Sequence, residues 1–153
     1  MQVITAPEPF CIRYPAVFLA GSIEQDTAEK WQEALIRRLA DCPVTILNPR
    51  RKAWDASWDQ SIRHGEFRKQ VEWELSAMER ADCIVMYFDP NTKAPVTLLE
   101  LGLFAASRKL IVCCPEGFWR KGNVDIVCEK YELKQARNLD ELITTIKDSF
   151  WKN

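Results

Sequence analysis

The chain has 153 residues, 47% of them hydrophobic and 28% charged, with a formal net charge of −1 at pH 7. That length suits one domain with a substantial core, and the near-neutral charge gives no electrostatic footprint for nucleic acid or an anionic membrane surface. No apolar run approaches the ~20 residues needed to span a bilayer, and the start, "MQVITAPEPF", lacks the basic end and apolar core of a signal peptide.

Residues 1–14 show no clear period and read as an amino-terminal arm. "AVFLAG" (Ala16 to Gly21) is a short apolar run ending in glycine, the pattern of a buried strand. In "DTAEKWQEALIRRLAD" the apolar positions Ala28, Trp31, Leu35 and Leu39 recur every three or four residues, which predicts a helix capped by Asp26 or Thr27. "VTILNP" is a second strand, stopped by Pro49. Arg50 to Gly65 has no steady period but holds Trp54 and Trp58, the character of a functional loop. A helix over "EFRKQVEWELSAMERA" and a third strand, "DCIVMYFD", follow. After the turn "PNTKAP" come a helix over "VTLLELGLFAAS" and a fourth strand, "KLIVCCPEG". "NVDIVCEKY" predicts a short helix, Leu133 a short fifth strand, and "NLDELITTIKDSFW" a closing helix capped by Asn138.

Strands that alternate with helices and read as continuous apolar runs predict an α/β domain over 1–153: a parallel sheet of about five strands with helices on both faces. In such sheets ligands bind at the carboxyl ends of the strands. Those ends are Gly21-Ser22-Ile23-Glu24, Asn48-Pro49-Arg50-Arg51, Asp89-Pro90-Asn91 and Pro115-Glu116-Gly117. The six cysteines (Cys11, Cys42, Cys83, Cys113, Cys114 and Cys128) form no CxxC pair, and His64 is the one histidine, so no zinc-type ligand set can be assembled. Reduced, mostly buried thiols in a cytoplasmic protein are expected.

Two carboxylates stand out. At roughly 100° per residue, the helix from Glu66 to Ala81 carries an apolar seam of Phe67, Val71, Leu75 and Met78, and Glu74 falls within it while Glu72 points away. A carboxylate in that place must find donors or take up a proton; the bland alternative is a rim residue reaching water or an arginine. Glu100 is the only charged residue between Lys93 and Arg108. Thr97-x-x-Glu100 fits a capping box, a purely structural role. Its place one turn into a helix that follows the third strand also suits a fixed, weakly solvated nucleophile.

Weaker signals lie around the pair. Gly21-Ser22 after the first strand is a possible anion site, or a simple turn. Arg50 and Arg51 suit phosphate or a solvated corner. Trp54 and Trp58 suit base stacking or core cover, and His64 reads as structural or exposed. Phe150 and Trp151 near the carboxyl end suit either an interface or packing on their own sheet.

"VFLAGSIE", "ILNPRR", "FRKQVEWEL", "ADCIVMYFDP", "TLLELGLFA" and "CCPEGFWRKGNVDIV" together resemble the nucleoside 2-deoxyribosyltransferase-like family, over about Ala16 to Leu142. The resemblance implies a Rossmann-like, flavodoxin-like sheet. It also implies a glutamate in an "ELG" motif that attacks the anomeric carbon, here Glu100. The family's acidic residue on the preceding helix, eight positions before the aspartate that opens the next strand, maps to Glu74, with Asp82 as that aspartate. Aspartate is usual there, and it works near the leaving base. The glycine element maps to Ala20-Gly21-Ser22. An asparagine that a neighbouring subunit donates to the sugar's 5′ end maps to Asn123. One departure is Ala94, six before Glu100, where the family carries aspartate or serine. The 5′ end must then be held by Asp89, Asn91, Arg50 or a partner chain.

The expectation is an N-glycosyl (deoxyribosyl) transferase or hydrolase acting on nucleosides or nucleoside monophosphates. Glu100 would be the nucleophile and Glu74, protonated through burial, the acid; Gly21, Ser22, Arg50, Asp89, Asn91 and Asn123 would bind substrate. No metal or cofactor is called for, and a homo-oligomer is implied. The alternatives are a non-catalytic nucleotide-binding module and a flavin or dinucleotide redox protein, the latter without the dinucleotide fingerprint.

Overall fold

The computed structural model describes residues 1–22, 30–51 and 56–152. Among them, six strands form one sheet: β1 (Gln2–Thr5), β2 (Ala16–Gly21), β3 (Thr45–Asn48), β4 (Cys83–Tyr87), β5 (Leu110–Cys113) and β6 (Lys134–Ala136). Their order is β1-β3-β2-β4-β5-β6, and every pairing is parallel. Five helices connect them: α1 (Trp31–Arg38), α2 (Gly65–Arg80), α3 (Pro95–Phe104), α4 (Lys121–Tyr131) and α5 (Leu139–Trp151). The α/β reading holds, with one strand more than expected.

The extra strand lies in the presumed arm. β1 pairs along the edge with β3, and its register is fixed by Val3 opposite Ile46. Its four residues bury only Ile4, which is too little alternation to read from sequence. The rest of the segment folds back onto α2: Phe10 stacks on Trp73 with ring centroids 5.2 Å apart, and Trp73 Nε1 donates to the Glu8 carbonyl at 2.8 Å.

Each central strand feeds two cores, because successive side chains leave a strand on opposite faces. Phe18, Ala20, Ile84, Met86, Leu110 and Val112 meet Trp73, Ala77 and Met78 of α2, Leu101 of α3 and Val124 of α4. Val17, Leu19, Val85, Tyr87, Ile111 and Cys113 meet Trp31 and Leu35 of α1, and Leu142, Ile143 and Ile146 of α5. A strand buried on both sides is a continuous apolar run, which is why β2, β4 and β5 were visible in sequence. Phe150 and Trp151 pack on the second core, on their own sheet. Cys83, Cys113, Cys114 and Cys128 are buried free thiols, and burial raises them to about 11 or 12, so they stay protonated.

Helix ends follow local chemistry. Asn138 caps α5 as expected, its Oδ1 accepting from the Glu141 N–H at 2.9 Å. The expected caps of α1, Asp26 and Thr27, lie outside the described residues, and α1 is described from Trp31. His64 is the N-cap of α2, its Nδ1 accepting from the Phe67 N–H at 3.2 Å. At the other end of α2, Lys109 Nζ donates to the carbonyls of Met78, Glu79 and Ala81 at 2.6, 3.1 and 3.0 Å. A cation satisfying the last carbonyls of a helix is favourable both as a hydrogen-bond donor and against the helix dipole. Lys109→Met is therefore expected to cost about 1–2 kcal/mol, read as a lower urea midpoint with an unchanged m-value.

Candidate active site

The chain runs from β2 outward to β3, then returns across β2 to β4, so the order reverses between β2 and β4. A crevice forms at the carboxyl ends of the strands at such a reversal. A cavity of about 450 Å³ lies there, walled by Ala20, Gly21 and Ser22 at the end of β2, Pro49 after β3, the inner side of α2 and the start of α3. That volume suits a small-molecule ligand.

Two carboxyl groups share the cavity, Glu74 from α2 and Glu100 from α3, and every other lining residue among those described is uncharged. The start of α3 explains how Glu100 reaches it. The helix begins at Pro95, whose fixed φ suits the first helical position, behind Ala94 as N-cap at φ 45°. The expected capping box is thereby overturned: Thr97 lies inside the helix and no side chain caps it. Glu100 is buried, with 8% of its surface exposed, and its carboxyl makes no hydrogen bond among the described residues. Burial raises it from the usual 4.5 to about 8, and the nearby Glu74 carboxylate adds to the rise.

Glu74 is half-buried, and burial raises it to about 7 against the pull of a hydrogen bond from Gln70. The seam of α2 is turned relative to the expectation. Trp73, Ala77 and Met78 are the buried apolar residues, whereas Leu75 is exposed. Trp73 anchors the helix under Phe10, and that rotation brings Phe67, Val71 and Glu74 to the cavity wall. Glu72 is solvent-exposed and paired with Arg68 at 2.7 Å, as its position on the helix implied.

Burial raises both carboxyls, and the hydrogen bond from Gln70 favours the charged form of Glu74. Two carboxyls close enough to repel in one poorly solvating cavity share a proton rather than both ionising.

The other expected residues are spread. Gly21 and Ser22 line the cavity. The Ser22 N–H donates to the Tyr87 carbonyl at 3.0 Å, and its Oγ accepts from the Asp89 N–H at 3.0 Å and the Thr92 hydroxyl at 2.7 Å. Ser22 thus braces β2 to the loop after β4, and its N–H does not serve an anion. Asp89 is buried, with its Oδ1 accepting from the Asn91 N–H, and Asn91 is exposed; neither lines the cavity. Arg50 is half-buried outside the cavity wall, its N–H donating to Asn48 Oδ1. Asn123 is exposed in the first turn of α4, also off the wall. The Arg51 guanidinium lies over Trp58 at 4.9 Å and reaches Glu66 at 3.4 Å, and Trp58 does not line the cavity. Trp54, Ile23 and Glu24 lie outside the described residues.

Gln70 was not anticipated. It is almost fully buried, lines the cavity, and donates from Nε2 to the Pro49 carbonyl at 2.9 Å and to Glu74 Oε1 at 3.1 Å. The available signal was its position four residues before Glu74, which puts both on one side of α2.

Comparison with known proteins agrees with this architecture. A crystal structure of a conserved protein from Enterococcus faecalis V583 superposes with a TM-score of 0.63 over 90% of this chain and 100% of that one, at 11% identity, which establishes likeness of fold. No curated protein matches the chain. The family model described as "nucleoside 2-deoxyribosyltransferase like" matches residues 14–118, a span that contains β2 to β5, both cavity carboxylates and Gln70. The chain belongs to the nucleoside 2-deoxyribosyltransferase-like family.

Proposed function

We propose that the protein cleaves the N-glycosidic bond of a nucleoside or nucleoside monophosphate and passes the sugar to a second base or to water. The observation that carries this reading is the pair of carboxyls, Glu74 and Glu100, the two charged side chains among the described residues that line the cavity. Glu100 attacks C1′ and Glu74 protonates the departing base, the division of labour of retaining glycosidases. The pair enters with one proton and one negative charge. The proton leaves on the base, the glycosidic electron pair goes to the base nitrogen, Glu100 is neutralised in the new C1′–O bond, and the pair's one negative charge passes to Glu74. The two carboxyls share that proton, and the reactive arrangement has it on Glu74 with Glu100 ionised. Positive charge developing on the sugar favours that ionisation. In the second half, Glu74 as carboxylate accepts the proton of the incoming base or water.

The test is incubation with a panel of nucleosides and monophosphates, with and without a free acceptor base, followed by chromatography. Released base, free sugar or a new nucleoside is expected. Tight binding with no base released from any substrate would replace this reading with a nucleotide-binding module. The pH dependence follows from the shared proton. Below both pKa values there is no nucleophile; above both there is no acid. A bell-shaped kcat/KM profile is expected, with limbs near 7 and 8.

The proposal includes a homo-oligomer in which Asn123 serves the neighbour's sugar. Two features support it: Asn123 is exposed and off its own cavity wall, and α3 presents Val96, Leu99 and Leu103 to solvent at 58, 63 and 56% exposure. Mixing the two inactive variants E100Q and N123A is expected to restore part of the activity, because some sites then receive both native residues.

A further inference from the structure

We propose that Gln70 is a positioning residue for the acid: its amide ties the Glu74 carboxyl to the end of β3, fixing the acid's place and stabilising the carboxylate left once its proton has gone. This rests on the proposed role of Glu74 as proton donor. The geometry is a two-point clamp, with Nε2 donating to the Pro49 carbonyl at 2.9 Å and to Glu74 Oε1 at 3.1 Å. The Pro49 carbonyl can only accept, so the amide turns its nitrogen to it, and the same nitrogen reaches Glu74. Among the described residues, the amide's own Oε1 has no hydrogen-bond partner.

The clamp holds a donor on Glu74 from a side chain that is itself buried on the cavity wall. A hydrogen bond to a carboxylate is stronger than one to the neutral acid, so the clamp favours the charged form. The step it assists is the transfer of the Glu74 proton to the base nitrogen as the C1′–N bond breaks, with the electron pair going to the base and Glu74 becoming anionic. Without the donor, Glu74 would be a weaker acid facing the same leaving group. Among the described residues, Glu100 is the one other titratable group on the cavity wall; β2, the segment after β3 and the first turn of α3 contribute uncharged groups.

The test is a carbon-13 NMR titration of the Glu74 carboxyl, assigned by its loss in E74Q, in the full chain and in Q70M. The Glu74 midpoint is expected to rise by about one pH unit in Q70M, and the acid limb of kcat/KM to move the same way. In the E74Q background, Q70M should cause no further loss of kcat. An unchanged midpoint overturns the proposal, as does a Q70M defect as large in E74Q as in the wild type. If Q70M does not fold, Q70N keeps the amide but withdraws it from Glu74, and the same rise is required. The titration needs no substrate. A chain that releases no base would therefore overturn the proposed function, while the midpoint still decides the role of Gln70.

Discussion

Glutamine in place of Glu100 is expected to lower base release by at least about 10³-fold while making the folded protein more stable at alkaline pH. The two effects share one cause. Glu100 is a carboxyl held in a cavity that solvates its charge poorly, and its pKa rises from 4.5 to about 8 on folding. For a carboxyl raised in this way, the stabilising contribution is fully present below the unfolded value of 4.5. It is lost as pH climbs through the folded value near 8, because the unfolded chain then ionises more readily than the folded one. The wild type should lose stability between about pH 5 and pH 9 from this group, with Glu74 adding to the slope in the same direction. Glutamine keeps the shape and cannot ionise, so E100Q should be more stable than wild type at pH 9 by an amount on the order of 3 kcal/mol. Near pH 5 the two should differ little. Thermal unfolding at pH 5, 7 and 9, run beside the base-release assay, reads both effects. An E100Q protein that is inactive but no more stable at pH 9 would mean that Glu100 is better solvated than its burial implies. One that is stabilised yet fully active would remove it from the chemistry.

The same contrast explains what could be read from sequence. β2, β4 and β5 were legible because burial on both faces leaves no polar position in a strand. Glu74 and Glu100 were legible because a charge on an apolar helical face is conspicuous. β1 was not, since an edge strand of four residues with one buried side chain carries too little pattern. The start of α3 was misread because Thr97-x-x-Glu100 fits a capping box, and nothing in an alanine announces that Ala94 takes the left-handed conformation that lets Pro95 begin the helix. The rotation of α2 was hidden for a different reason. Trp73 outweighs Leu75 only once Phe10 has folded over it, and that is a contact between residues far apart in sequence. Gln70 was invisible because an uncharged amide on a helix face is unremarkable until its two partners are in place.

Alanine at Gly21 is expected to destabilise the protein by about 3 kcal/mol, although it adds a single methyl. The Cβ would lie 2.5 Å from the Tyr87 carbonyl oxygen and 2.6 Å from Trp31 Cζ2, both well inside contact distance. Neither neighbour can yield cheaply. The Tyr87 carbonyl belongs to the paired strand β4 and accepts the Ser22 N–H at 3.0 Å. Trp31 is fully buried and its Nε1 donates to the Ser22 carbonyl at 3.2 Å. Relief therefore has to come from spreading β2 away from β4 at the carboxyl ends that form the cavity floor. Stability and base release should fall together, with a drop of about 6–12 °C in Tm for a chain of this size. Gly122 provides the control. It lies in the first turn of α4 with nothing within 4 Å of an added Cβ, so the same substitution there should be neutral or stabilising by about 0.5 kcal/mol. Opposite outcomes at the two glycines would show that Gly21 is required for the close approach of β4 and Trp31 to the cavity, and not for chain flexibility. Equal outcomes would mean that the strand ends can part without cost, and that the floor beneath Glu74 and Glu100 is softer than its packing implies.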